Sequence, residues 1–317
     1  MGQVYVIFIC MKRTLVQIFT SIIPSKKLRH LARAFLLNGA FSLLKKQPEL
    51  RVYFYDSSNF GDALNIPLFR FFNQGCRYAP PYFADACAIG SILDDLLLTK
   101  SMCRNGRTLH VYGSGFMHGE SSEKEFCRPL EIHALRGKLS RARCEEILGC
   151  SLKHVPLGDP GLLIPYIFPE AREEKKYDVG IISHYADDAA LLRQRVNLKE
   201  LSSMFIDVTQ PPESFIREVS QCRFILSSAM HGLICADSLG IPNAHVIMSD
   251  NVKGKGFKFH DYYSVYGSVT YCPVDLRAKV LEDADILELQ NSYSVSQVEV
   301  KAICERLISV FQQLSHI

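Results

Sequence analysis

The segment of this chain best suited to chemistry is residues 227–237 (SSAMHGLICAD), which follow an apolar stretch and should open a helix. Small residues at such a turn let backbone N–H groups approach a ligand, and a helix N-terminus favours an anion such as phosphate or carboxylate. Ser228 lies in this turn, and His231 lies in the first helical turn, where an imidazole can act as general acid or base. We predict that His231 is catalytic and that Ser228 binds substrate. A histidine held only by structural hydrogen bonds is the alternative.

A second candidate is Arg136, which comes at the end of a predicted strand and directly before a glycine and a helix. A guanidinium in that position can hold a phosphate or carboxylate with two parallel hydrogen bonds. We therefore predict that Arg136 takes part in catalysis. The alternative is a surface arginine paired with an acidic residue.

Five further residues lie at strand ends or in loops beside them, and we predict that they bind substrate: Asn59, Asp62, Ser114, His184 and Lys258. Helix capping explains the first two equally well, and the glycine turn around Ser114 is weak evidence, since turns need glycine anyway. Lys258 is a plausible anion ligand. The glycine- and lysine-rich residues 253–256 before it are either a mobile flap or an ordinary loop.

Predicted strands alternate with predicted helices, and glycines fall at the strand ends, which is typical of parallel, doubly wound sheets. The predicted strands are residues 51–56, 86–90, 108–112, 131–135, 154–157, 177–183, 204–208, 224–227 and 244–247. The predicted helices are residues 63–72, 92–98, 137–148, 189–195, 213–221, 230–239 and about 297–314, the last starting at a capping box of Ser296 and Glu299.

The polar segment 168–176 (FPEAREEKK) is the best candidate for a linker between domains. We predict an α/β fold of two Rossmann-like, doubly wound domains, residues 51–168 and 177–317, preceded by an arm of residues 1–50. Ligands of open parallel sheets bind at the carboxyl ends of the strands. Two such domains should therefore face each other across a cleft that holds the site.

Composition narrows the function classes. The 317 residues are 48% hydrophobic and 22% charged, as in globular proteins, and the net charge of +3 with no basic stripe argues against nucleic acid as a partner. No phosphate loop, HExxH or GxSxG motif is present, which disfavours P-loop ATPases, zincins and α/β-hydrolases. The eleven cysteines show no metal-ligand spacing, so we expect reduced thiols, a cytoplasmic location and no metal.

The N-terminal arm differs from the rest, since residues 1–50 carry eight basic side chains and one acidic one. Residues 12–46 read as an amphipathic helix that would lie on an anionic inner leaflet, giving peripheral membrane contact. A helix that packs on the body of the enzyme instead of the membrane is an equally good interpretation of this segment. Met1 and Met11 are both plausible start residues.

Together these segments resemble the polysaccharide pyruvyl transferase family, from about residue 51 to residue 267. The branch most similar to the chain is the exopolysaccharide ketal-pyruvate transferases. The segments that carry the resemblance are SNFGDALN (58–65), YGSGF (112–116), LRGKLSRARCEEILG (135–149), GDPGLLIP (158–165), VGIISHYAD (179–187), residues 206–242 including AMHGLICADSLGIP, and FKFHDYYSVYG (257–267). The first fifty residues lie outside it, and the loop 253–256 is particular to this chain.

The resemblance implies a two-Rossmann, GT-B-like architecture, with phosphoenolpyruvate as donor and a sugar bearing two suitably placed hydroxyls as acceptor. A common acceptor is a polyprenyl-diphosphate-linked oligosaccharide. The family's histidine falls on His231 and its arginine on Arg136, and no cofactor or metal is implied. Two alternatives stay open: a GT-B glycosyltransferase using a nucleotide sugar, for which no clear acidic ribose ligand is seen, and a non-catalytic component of a polysaccharide assembly complex.

Overall fold

The computed structural model describes residues 49–55, 59–72, 75–97, 106–120, 125–267 and 269–316. The predicted amphipathic arm, residues 12–46, lies outside these residues, so its membrane contact stays a prediction. In the part of the chain that is described, no helix is both long and apolar enough to cross a bilayer. Nine cysteines fall within it and all are free thiols, of which only Cys150 and Cys272 are exposed.

The first half is built on a five-stranded parallel sheet with strand order β2-β1-β3-β4-β5. Its strands are β1 (Leu50–Tyr53), β2 (Cys76–Tyr78), β3 (Ala86–Cys87), β4 (Leu109–Tyr112) and β5 (Leu130–Ala134). Its helices are α1 (Phe60–Ala63), α2 (Asn65–Phe71), α3 (Lys138–Leu148) and α4 (Ile164–Ile167).

The second half repeats this plan with a second five-stranded parallel sheet, in which the strand order is β7-β6-β8-β9-β10. Its strands are β6 (Tyr177–Ile182), β7 (Ser203–Ile206), β8 (Cys222–Ser227), β9 (Asn243–Ile247) and β10 (Val274–Asp275). Its helices are α5 (Ala189–Arg195), α6 (Pro212–Ser220), α7 (Met230–Leu239), α8 (Phe257–Tyr263), α9 (Asp283–Ser292) and α10 (Gln297–Gln312).

Both sheets therefore share one topology. In each half the second strand lies outside the first, and the third, fourth and fifth strands follow on the other side. The direction in which the chain adds strands to the sheet reverses between the first and third strands. This switch point lies between β1 and β3 in one half and between β6 and β8 in the other. Ligands of doubly wound sheets bind outside the carboxyl ends of the strands at this switch point. The prediction of two parallel α/β halves is confirmed, with the flavodoxin-like strand order in each.

Several predicted elements differ from the structure. Residues 154–157 do not form a strand but contribute a single bridge between Leu135 and Leu157, and the predicted helix 92–98 is a 3-10 turn at Leu93–Leu96. Strands β2 and β10 were not predicted because each has at most three residues and contains a charged side chain. Helices α8 and α9 were also missed, since neither carries a strong apolar repeat.

The two halves pack against each other near the switch points. The backbone N–H of Phe60 donates to the carbonyl of Val208 at 2.9 Å, and the Phe60 ring stacks on Phe215 with 4.0 Å between centroids. These contacts hold α1 of the first half on β7 and α6 of the second. The largest buried apolar cluster runs through both halves, so the cleft has a continuous core beneath it.

The C-terminal helix α10 lies against the first sheet. Its Phe311 ring is 5.1 Å from Tyr112 and 5.9 Å from Phe69, centroid to centroid. At its start, the Ser296 hydroxyl accepts the Glu299 N–H as predicted. The Glu299 carboxylate does not complete the capping box, because it accepts the Gly267 N–H instead, at 2.9 Å, and so ties α10 to the turn after α8.

Candidate active site

A cavity of about 280 Å³ lies where the carboxyl ends of the two sheets face each other. From the first half it is lined by residues that follow β1 and β3, and from the second half by residues that follow β6, β8 and β9. The lining residues that matter for chemistry are Asn59, Asp62, Ser91, His184, Tyr185, His231, Lys253 and Lys258. The cavity thus joins the switch points of both sheets.

Five of the eight predicted site residues line this cavity: Asn59, Asp62, His184, His231 and Lys258. The other three, Ser114, Arg136 and Ser228, are at most 1% exposed and do not line it. The structure therefore brings most of the predicted residues together and places three of them behind the cavity wall.

His231 lies in the first turn of helix α7, at the edge of the cavity, and reaches across to the first half. A Cβ atom on Gly61 would overlap the imidazole ring, so the turn after β1 can come this close only with glycine. The buried Nε2 of His231 has no hydrogen-bond partner among the described residues. Nδ1 has no partner there either, but it is not among the buried atoms, so it keeps access to the cavity.

Asp159 faces the buried nitrogen of His231. One carboxylate oxygen, Oδ1, accepts the Gly161 N–H at 2.8 Å, while Oδ2 is buried without a hydrogen bond. The distance from Oδ2 to His231 Nε2 is 3.8 Å. Two buried, unsatisfied atoms of complementary chemistry lie opposite each other, and a small side-chain movement would join them. The sequence analysis missed Asp159, although its signal is the GDPG turn that lies before α4.

His184 follows β6 and is a neutral imidazole. Burial, with Lys258 and His231 adding to it, lowers its pKa to about 3. Its Nδ1 accepts the Ala186 N–H at 3.1 Å, so the neutral ring carries its proton on Nε2. His184 therefore offers a hydrogen-bond donor to a ligand in the cavity.

Lys258 lies in the first turn of α8 and is only 6% exposed. Its ammonium makes no hydrogen bond with the described residues. It lies over the Phe259 ring, 5.3 Å from the ring centroid. Burial, together with Arg136, lowers the pKa of Lys258 to about 8, against the opposing effect of Asp62 and Asp187. The side chain is still mostly charged at neutral pH. A buried ammonium with no partner is costly unless an anion joins it.

Ser228 fixes the backbone of His184 from the side away from the cavity. Its hydroxyl accepts the His184 N–H at 2.8 Å and donates to the Asp187 carboxylate at 2.6 Å. Ser249, which follows β9, donates to the other oxygen of Asp187 at 2.5 Å. Ser228 thus links the ends of β6, β8 and β9. Ser114 does similar work in the first half, where its hydroxyl donates to the Ala88 carbonyl at 2.7 Å and joins the end of β4 to that of β3.

Arg136 has no exposed surface, and each of its three guanidinium nitrogens donates a hydrogen bond. Nε donates to Asp261 at 2.9 Å, Nη1 to the Ser91 hydroxyl at 2.5 Å and Nη2 to the Phe116 carbonyl at 2.6 Å. The expectation that Arg136 holds an anion directly does not fit this position, because the side chain is fully buried and each of its nitrogens donates to a protein acceptor. One of these acceptors, Ser91, lines the cavity.

Asp261, the partner of Arg136, belongs to α8 of the second half. Its carboxylate also accepts the backbone N–H of Ser140 at 2.8 Å and the Ser140 hydroxyl at 2.6 Å, both at the start of α3. A Cβ atom on Gly137 would overlap the Asp261 backbone, so α3 and α8 approach each other closely. This buried cluster fixes the helix that carries Lys258 against the first half.

Three of the eight cavity residues named above were not predicted: Ser91, Tyr185 and Lys253. Tyr185 is 62% exposed and lies next to His184, with ring centroids 4.3 Å apart. The rule that ligands bind at the strand ends would have found Ser91 after β3 and Tyr185 after β6. Lys253 lies in the loop 253–256, where the position of its side chain depends on the fold of the whole loop.

The fold and the site define a two-lobed α/β protein with a cationic, histidine-containing cavity at the facing switch points of its sheets. The chain belongs to the polysaccharide pyruvyl transferase family, whose sequence model matches residues 59–251. The matched region includes Asn59, Asp62, His184 and His231, while Lys253 and Lys258 come after it.

The chain is also similar to two named proteins. The succinoglycan biosynthesis protein ExoV of Rhizobium meliloti (strain 1021) is 27% identical over 239 residues, which cover 73% of this chain and 71% of ExoV. An uncharacterised protein of Acanthamoeba polyphaga mimivirus is 33% identical over 160 residues, 50% of this chain and 54% of that protein. The match thus spans about half the length of the viral protein.

Among solved structures, the dodecameric iron-containing heptosyltransferase TibC in complex with ADP-D-beta-D-heptose is 13% identical, with a TM-score of 0.25 over 84% of this chain and 78% of that one. A second structure of TibC, from enterotoxigenic E. coli, gives 12% identity and a TM-score of 0.27. Similarity at this level adds nothing to the description of the fold.

We predict that Arg136 and Asp261 stabilise the protein as a coupled pair. Arg136→Met or Asp261→Asn alone leaves a buried group without its partner and should lower the free energy of unfolding by about 3–5 kcal/mol. The double variant should lose clearly less than the sum of the two. Urea unfolding of the four proteins measures this. Arg277→Met, which removes two exposed ion pairs, with Asp250 and Asp275, is the matched control and should cost about 0–1 kcal/mol. Additive losses in the Arg136 and Asp261 variants would contradict the coupling.

Proposed function

We propose that this protein transfers pyruvate from phosphoenolpyruvate to two hydroxyl groups of a sugar in polysaccharide biosynthesis, forming a cyclic ketal. The observation that carries the proposal is that Lys258, a buried ammonium with no hydrogen-bond partner among the described residues, lines the same cavity as His231. Phosphoenolpyruvate needs both, because it carries a phosphate and a carboxylate and must gain a proton. Membership of the family supports the same reaction.

The size of the cavity favours a small donor. Its volume of about 280 Å³ is at the low end of the roughly 300–1,000 Å³ typical of ligand pockets. Lys253 and Lys258 supply positive charge for a three-carbon dianion. The alternative donor, a nucleotide sugar, would need additional room for a base and a ribose. We also infer a GT-B-like arrangement, which the two parallel sheets on either side of one cavity support.

The proposed reaction begins with proton transfer to the methylene carbon of phosphoenolpyruvate, which becomes a methyl group. The neighbouring C2 then has oxocarbenium character, and a sugar hydroxyl adds to it and releases its proton. Phosphate leaves with the electrons of its bond to C2. A second hydroxyl adds to C2, loses its proton and closes the ketal, so the products are the pyruvylated sugar and inorganic phosphate.

His231 is the proposed acid and base, because Nδ1 keeps access to the cavity. Asp159 is a positioning residue: a hydrogen bond from Nε2–H to its free oxygen would fix the tautomer of the ring and stabilise the imidazolium. The Nε2–H of His184 donates a hydrogen bond to an oxygen of phosphoenolpyruvate. Asp62 orients an acceptor hydroxyl, and Lys258 holds the donor's anionic groups, where fixed charge supplies much of the rate enhancement.

Arg136 acts on the site through other groups. It holds Ser91 on one wall of the cavity and Asp261 on the helix that carries Lys258. Its proposed role is therefore to position the anion site. The acceptor is proposed to be an oligosaccharide, either free or linked to polyprenyl diphosphate, and the second form would suit membrane contact through residues 12–46.

The first test is product formation by the purified protein. With phosphoenolpyruvate and candidate oligosaccharides, free and polyprenyl-linked, we expect phosphate release and a pyruvyl ketal seen by mass spectrometry. His231→Gln should reduce turnover at least about 100-fold because the proton transfer is lost, while His154→Gln, an exposed histidine outside the cavity, should not. Near-normal turnover of His231→Gln would refute the role. Thermal stabilisation by nucleotide sugars but not by phosphoenolpyruvate would favour a glycosyltransferase.

The second test concerns Asp159. In Asp159→Asn the amide can still accept the Gly161 N–H, but it would donate to His231 Nε2 and so move the ring proton to Nδ1. We expect kcat/KM to fall at least about tenfold. An unchanged kcat/KM together with a lowered Tm would show that Asp159 acts only in folding.

The third test uses the pKa of Lys258. Because this pKa is about 8 in the free protein, the ammonium loses its charge as pH rises through 8. The Kd for phosphoenolpyruvate, measured by calorimetry between pH 6.5 and 9.5, should therefore increase on the alkaline side, by up to about tenfold per pH unit. Lys258→Met should bind weakly with a flat profile over this limb. Lys153→Met, an exposed control, should behave as the unmodified protein, and an alkaline limb retained in Lys258→Met would contradict the assignment.

A further inference from the structure

A cluster of two histidines and a glutamate lies on the first sheet, outside the cavity. His110 is in β4, and Glu131 and His133 are in the edge strand β5. His110 pairs directly with Glu131 in the register of the two strands. Since side chains alternate along a strand, His133 shares the face of Glu131. The strand geometry itself thus brings three metal-ligating side chains together.

The three ligand atoms have the separations that a small tetrahedral metal ion requires. His110 Nδ1 is 3.0 Å from His133 Nε2 and 3.4 Å from Glu131 Oε2, and His133 Nε2 is 3.6 Å from Glu131 Oε1. Bonds of about 2.0–2.1 Å to Zn²⁺ at tetrahedral angles place ligand atoms about 3.3 Å apart. The three observed distances bracket this value, the two to Glu131 being measured to different carboxylate oxygens, and one ligand atom from each residue lies within 4.8 Å of the other two.

Protons alone satisfy the cluster poorly. One proton shared between the two ring nitrogens uses the single N–H of one and the single lone pair of the other, so the nearby Glu131 carboxylate receives no N–H from either. Within the described residues, Glu131 has ion pairs with these two histidines and with no lysine or arginine. A divalent cation would satisfy all three groups at once.

The ligands are held in place before any ion arrives. The His133 ring stacks on Tyr112, 4.5 Å between centroids at 10°, and Tyr112 in turn contacts Phe311 of helix α10. The His110 and His133 side chains are 16% and 19% exposed, whereas Glu131 is 58% exposed. The cluster is therefore rigid on its imidazole side and open to water on its carboxylate side.

We propose that His110, Glu131 and His133 form a binding site for Zn²⁺, with water as the fourth ligand. Two imidazoles and a carboxylate suit this borderline metal. None of the three residues lines the cavity, so the ion is structural: it ties the edge strand β5 to β4. The site is independent of the reaction proposed above, which needs no metal.

Zinc titration of chelator-treated full-length protein tests the proposal. Exposed thiols also bind zinc, so a Cys150→Ser/Cys272→Ser background is used. Calorimetry at pH 7.5 should show one equivalent of Zn²⁺ bound, and Co²⁺ should give the intense visible absorption of a four-coordinate site. Zinc should raise the Tm.

Matched variants locate the site. His110→Gln and His133→Gln should each weaken zinc binding at least about tenfold and abolish the zinc-dependent rise in Tm. His118→Gln, an exposed histidine of the same half, should change neither. Absence of stoichiometric binding, or binding retained in both His110→Gln and His133→Gln, would overturn the proposal and leave the cluster as a hydrogen-bonded pair of histidines beside a surface glutamate.

Discussion

The arrangement of the site depends on one buried ion pair, Arg136 with Asp261, which joins the two halves of the molecule. Neither side chain is exposed, and their charged atoms are 2.9 Å apart. Desolvating two charges is costly unless hydrogen bonds satisfy the remaining donors and acceptors. Ser91, Ser140 and the Phe116 carbonyl do so here. The result is a fixed joint three residues from Lys258 on the same helix.

The second feature that organises the site is the repeated strand order. Because each sheet reverses its winding between its first and third strands, each half offers one crevice, and the packing of Phe60 on Phe215 sets the two crevices opposite each other. Residues that follow five strands then meet in one small cavity. Gly61 is what lets the imidazole of one half approach the backbone of the other.

Sequence patterns predicted the parallel sheets and most of the cavity, because strand ends in doubly wound folds converge by topology. The prediction for Arg136 shows the limit of that reasoning. A strand end fixes where a backbone lies, but the direction of a long side chain depends on which acceptors are in reach, and Asp261 is 125 residues away in the chain. Asp159 was missed for a related reason, since an aspartate before a proline is usually interpreted as a helix cap. The cap hydrogen bond from Gly161 uses only one of the two carboxylate oxygens and leaves the other available.

Lys258 shows how the protein keeps an anion site ready. Asp62 and Asp187 are close enough to raise its pKa but do not bond to it, while burial and Arg136 lower that pKa to about 8. A direct ion pair would have neutralised the ammonium and competed with any ligand. Asp187 is instead held by Ser228 and Ser249, and Arg136 is held by Asp261. Asp187 and Arg136 are thus satisfied by protein partners, whereas the ammonium of Lys258, which lines the cavity, makes no hydrogen bond with the described residues.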